Sequence, residues 1–97
     1  MGLYTGIEES KLLGFTDTYN AALADFQTKT ADYNNFLTFL AQNPGAASSP
    51  QAANNKITKE NAVNAAKAIA VQCKIDLEDY QSYLNDKYQQ VLSLIHI

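Results

Sequence analysis

The side chains able to do chemistry are few in this sequence, and their spacing matches no catalytic set. One histidine, His96, and one cysteine, Cys73, are the whole supply of nitrogen and sulfur metal ligands, short of the four that a structural zinc takes. A lone thiol can form no internal disulfide. Cys73 lies in an apolar helical stretch, where a thiol serves as a small core residue; a cross-link between subunits is its other use. Asp25 with Asp32, and Asp76 with Asp79, have helical spacing, which invites comparison with helical bundles that hold dinuclear metals. Those sites also use Glu-x-x-His motifs, and this chain has none, so the acids belong on a solvated face. No nucleophile is spaced with a base and no glycine-rich phosphate loop is present. Catalytic residues, metals and cofactors are therefore expected to be none, and the protein is expected to be no enzyme.

Aromatic residues are the most distinctive content: six tyrosines and four phenylalanines, with no tryptophan. Tyr19, Tyr33 and Tyr80 fall on apolar stripes and fit a core with hydroxyls at its rim. Tyr4, Tyr83 and Tyr88 lie off the stripe centres. With Lys87 they make a candidate ligand or partner surface, on which a base or small nucleotide ligand could stack.

Two helical patterns must position these groups. The first opens at a capping box, Thr5 followed by Glu8, in which hydroxyl and carboxylate each satisfy one orphan amide. Apolar residues then recur in steps of three and four as Leu12, Phe15, Tyr19, Ala22, Phe26, Tyr33, Phe36 and Leu40, with Lys29 as the exception. Gly14 costs about 1 kcal/mol relative to Ala inside a helix, so a break near Gly14 would make two helices of this one. Asn43-Pro44-Gly45 ends the pattern. Residues 43 to 57 hold both prolines and little that could enter a core, and read as an irregular loop. The second helix is expected over about 58 to 91, with Thr58 as N-cap and a stripe of Val63, Ala66, Ala70, Cys73, Leu77, Tyr80, Leu84 and Val91. The expected fold is a single all-α domain, an antiparallel helical hairpin of two long helices (about 6 to 42 and 58 to 91).

Antiparallel pairing of those spans sets Phe36, Leu37 and Leu40 against Ala62, Ala66 and Ala70, bulky against small, as close helix packing needs. Lys29 then falls near Cys73 and Asp76, a polar seam cluster of the kind that fixes register. A second short stripe, Ala68, Val71 and Ile75 with Ile69 on its flank, points away from the seam. A two-helix hairpin cannot bury both stripes, so these four residues form a candidate interface, and self-association into a larger bundle, a homo-oligomer, is expected.

Composition bounds the partners. At 46% hydrophobic residues the chain is no disordered segment. A net charge of -3, with seven scattered lysines and no arginine, argues against duplex nucleic acid. No apolar run approaches a membrane span and no signal peptide is apparent, so no membrane partner and a cytoplasmic location are expected, with signal-less secretion left open. The last six residues, Leu92-Ser93-Leu94-Ile95-His96-Ile97, resemble the translation of a transposase mosaic-end sequencing adapter, which points to a metagenomic fragment whose own pattern is trusted only to Val91. On that reading His96 carries no function.

Three readings of function follow. The first is a non-enzymatic interaction or assembly protein that presents helix faces to itself or to a protein partner. The second is an inhibitory protein, such as a phage anti-defence factor that binds a nucleotide signal or a defence complex. The third rests on architecture alone: the size and plan are similar to the secreted hairpin families of the WXG100 type and of type III secretion needle subunits. This chain has no Trp-x-Gly turn, and its Pro44 to Pro50 segment is longer than a needle turn, so no residue is carried over.

Overall fold

The computed structural model describes residues 4–95; His96, whose dismissal rested on the adapter-like tail, lies outside them. The chain is an all-α helical hairpin, a rod of 75 × 18 × 17 Å. Helix α1 spans Gly6–Gln42, a short helix α2 spans Pro44–Ala47, and helix α3 spans Pro50–Ile95 and packs antiparallel against α1.

Helix α1 starts at Thr5 with the capping box formed in both directions: Glu8 N donates to Thr5 Oγ1 at 3.1 Å and Thr5 N donates to Glu8 Oε1 at 3.0 Å. Gly14 does not break it. The conformational cost of one glycine is small beside a 37-residue cooperative helix whose apolar face is packed. At the other end Asn43 closes the helix, its backbone N–H donating to Leu40 O at 3.3 Å and its side chain to Phe39 O at 2.8 Å. Pro44 then opens α2, at the first helical position where a missing N–H costs nothing.

The connection is much shorter than the breaker-rich composition suggests. Ser49 caps α3, its Oγ accepting from Ala52 N at 3.1 Å, and Pro50 takes the first helical position. Gln51, Ala52 and Ala53 follow as good helix formers. Thr58 is accordingly no N-cap. It lies inside α3 and its hydroxyl donates to Asn54 O at 3.0 Å, a way for threonine to sit within a helix.

Starting α3 at Pro50 rather than Thr58 slides it along α1. Eight residues are about two turns, or roughly 12 Å. At the loop end Lys59 now lies 5.5 Å from the centre of the Phe36 ring, while Phe15 meets Tyr80, with ring centroids 5.3 Å apart. Tyr19, Leu23 and Phe26 line one surface with Ala70, so bulky still meets small, with different partners from those the longer loop implies. Ala52, Ala66, Ala70 and Leu84 are the buried apolar residues, and Leu84 is the one large side chain fully enclosed among the described residues. The seam of α1 passes through Thr30, which is half-buried, and leaves Lys29 exposed. Val91, Leu92 and Leu94 stay exposed although the helix continues past them. No helix among the described residues is long and apolar enough to cross a membrane.

Candidate interaction surfaces

Three features stand out from an otherwise plain hairpin: a polar clasp at its open end, an aromatic groove beside Gly14, and the outer face of α3.

The clasp is built on Glu8. Its position in the first turn of α1, near the positive end of the helix dipole, favours a carboxylate, and the register brings the far end of α3 over it. Glu8 is 7% exposed. Oε2 accepts from Lys87 Nζ at 2.8 Å, and Oε1 accepts both from Thr5 N and, in a very short hydrogen bond, from the Tyr88 hydroxyl. Lys87, Tyr88 and the Thr5 amide together hold the Glu8 carboxyl well below its ordinary value of 4.5, at about 2. The same hydrogen bonds push the Lys87 ammonium and the Tyr88 hydroxyl above their ordinary ranges. Tyr4 packs on Tyr88 with ring centroids 5.2 Å apart, and its hydroxyl donates to Asn85 Oδ1 at 3.4 Å. Lys87 and Tyr88 thus satisfy Glu8 within the chain, and Tyr4 packs beside them. Tyr83, the fourth residue of that candidate surface, stands apart and stacks on Tyr80 at 5.9 Å.

The groove runs along the seam beside Gly14. Lys11, Gly14, Phe15, Thr18, Cys73, Asp76 and Tyr80 line an open cavity of about 540 Å³. A Cβ added to Gly14 would meet nothing within 4 Å, so the groove is open at that position. Burial, aided by the Glu8 charge, pushes the Tyr80 hydroxyl above its ordinary range. Two members of the expected polar seam cluster, Cys73 and Asp76, meet here, and Cys73 is half-buried. Lys29 does not join them. It pairs with Asp25 one turn away at 3.1 Å, because it lies on the exposed side of α1, whose seam runs through Thr30 instead. Asp76 accepts from Gln72 Nε2 at 2.9 Å.

On the outer face of α3, Val71 is 50% exposed, Ile75 43% and Ile69 57%, and Ala68 is exposed with them. The early start of α3 adds Ile57, 57% exposed, which shares this face through the helical steps 57, 61, 64, 68, 71 and 75. Helix α1 also exposes large apolar side chains, Ile7, Leu13 and Phe39, but they are scattered along it, whereas Ala68, Val71 and Ile75 of α3 follow one another at helical spacing.

Glu8 is the site residue that sequence spacing reached only in part. Its capping role follows from Thr5 three residues before it, whereas its grip on Lys87 and Tyr88 depends on the register of α3. Among the described residues no three His, Cys, Asp or Glu side chains converge as metal ligands would. The chain matches no protein-family model, no curated protein and no solved structure.

Proposed function

We propose that this protein is a non-enzymatic helical interaction module whose activity is to present the outer face of α3 to another copy of itself or to a protein partner. The observation that carries this reading is the exposed Ala68, Val71 and Ile75 cluster, with Ile57 on the same face beyond Asn61 and Asn64. Clustered exposed apolar side chains on a small protein mark an association site, and a thin two-helix core gains from further burial. Light scattering on the full chain tests the reading. The expected mass is that of two or more copies at high concentration, falling towards one copy when Val71 and Ile75 are both changed to Asp. A mass of one copy at every concentration would overturn self-association.

A second reading, a small-ligand binder with an inhibitory role, is favoured by the groove. Phe15 and Tyr80 offer ring faces there, and Lys11 supplies a cation for an anionic planar ligand such as a nucleotide. A thermal-shift screen against mono- and cyclic nucleotides is the test: stabilisation that disappears in Lys11→Ala supports this reading, and no shift with any nucleotide counts against it.

A further inference from the structure

Resting on the small-ligand reading of the groove, we infer that its ligand is a guanine mononucleotide, with the phosphate at Lys11, the base against Phe15 and Tyr80, and the pairing edge of the base on Asp76. The groove holds its chemistry in a fixed order. Phe15 of α1 meets Tyr80 of α3, with ring centroids 5.3 Å apart. Lys11 lies one turn before Phe15, and Asp76 one turn before Tyr80. Because the helices run antiparallel, these turns lead in opposite directions, Lys11 towards the open end and Asp76 towards the loop. The two charges therefore stand on either side of the rings, their backbones about 12 Å apart along the rod at 1.5 Å per residue. Both line the same cavity of about 540 Å³, a size typical of small-molecule sites.

Neither charge is spent inside the hairpin. Among the described residues Lys11 forms no ion pair and Asp76 meets no cation. Gln72 Nε2 donates to Asp76 Oδ1 at 2.9 Å, which holds the carboxylate and leaves Oδ2 open to a ligand. A cation at one end, ring faces in the middle and an acceptor at the other fit a ligand that is anionic, then flat and aromatic, then rich in N–H donors. Stacking tolerates any base, so the choice falls to Asp76. A carboxylate presents two acceptors side by side and no donor. Among the common bases only guanine sets two donors side by side, at N1 and at the N2 amino group. Adenine, cytosine and uracil each place an acceptor next to their donor, where it would face a carboxylate oxygen. Reversed binding would set the phosphate against Asp76, like charge on like. Gly14 carries no side chain into the groove, which leaves room for the ribose beside the rings.

Titration calorimetry on the full chain tests the assignment with four probes: GMP, IMP, which lacks only the N2 amino group, AMP, and guanosine, which lacks the phosphate. GMP is expected to bind most tightly. IMP should bind about tenfold more weakly for one lost hydrogen bond to a charged group, and AMP more weakly again. Lys11 and Asp76 are both exposed, so Lys11→Ala and Asp76→Ala should keep the hairpin, as circular dichroism would verify. Asp76→Ala is expected to erase the preference for GMP over IMP, and Lys11→Ala the preference for GMP over guanosine. Equal binding of GMP, IMP and AMP would overturn the guanine assignment and leave the small-ligand reading standing. A preference for GMP that persists in folded Asp76→Ala would overturn the placement of the base. No binding of any nucleotide would overturn both the assignment and the reading beneath it.

Discussion

The two ends of the hairpin are closed by ion pairs of nearly equal length and very different character. At the loop end Lys59 donates to Asp32 at 2.7 Å, with the two side chains 32% and 58% exposed. At the open end Lys87 donates to Glu8 at 2.8 Å, with Glu8 only 10% exposed in its side chain. Distance does not separate them; burial does, since an exposed pair contributes little and is screened by salt. The loop end is already held by the short connection from Asn43 to Ser49, so little closure entropy is left for side chains to offset. At the open end no covalent link holds α3 to α1. Part-buried hydrogen bonds to a charged carboxylate, each worth more than a neutral one, perform that work around Leu84 and Glu8.

Five substitutions would break or sharpen this contrast. Leu84→Ala has the largest expected effect, a loss of about 2–5 kcal/mol for a truncated core leucine, read from the urea midpoint; a loss below about 1 kcal/mol would show that the open end is not where the core is tightest. Glu8→Gln comes next, lowering Tm on the order of 5–10 °C near neutral pH through loss of the charged acceptor. Its pH dependence has a definite sign. Because the Glu8 carboxyl lies at about 2 rather than 4.5, its contribution is complete above pH 4.5 and is lost as pH falls towards 2. The gap between wild type and Glu8→Gln should therefore shrink across that acid range. At the alkaline side the Tyr88 hydroxyl is raised above 10, so the clasp also weakens as pH climbs past that value. A gap independent of pH between 2 and 5 would remove the carboxylate from the account. Ser49→Ala should cost about 1 kcal/mol as a lost cap and Thr58→Ala less than about 0.5 kcal/mol; the reverse order in thermal melts would restore Thr58 as the helix start. Asp32→Asn is the smallest, within about 0.5 kcal/mol, and a larger loss would put the two ends on an equal footing.

Which of these residues sequence spacing could find follows from how far each depends on register. Thr5 and Glu8 form their capping box within one turn, and the apolar stripes run along single helices, so both were legible from local spacing. Pro50 was not, because a proline in a Ser-, Ala- and Asn-rich stretch serves equally as a breaker and as a first helical residue. Ser49 immediately before it and Gln51-Ala52-Ala53 immediately after are the signals that favour the second use. A helix start at Pro50 instead of Thr58 shifts the loop-end pairings by about two turns. The partners of Glu8 on α3 depend on that register, whereas the pairing of Lys29 with Asp25 lies within α1 and does not. The exposed stripe of α3 survived the shift because the direction a residue faces depends on its own helix alone.

The double duty of Glu8 bears on how the molecule opens. One carboxylate caps the first turn of α1 and holds the last third of α3, so neither can fray without releasing the other. Hydrogen exchange should then show the amides of Glu8 and Glu9 and those around Lys87 and Tyr88 opening as a single cooperative unit, with Glu8→Gln splitting it into two. The far end, tied by the chain itself, is free to breathe on its own clock.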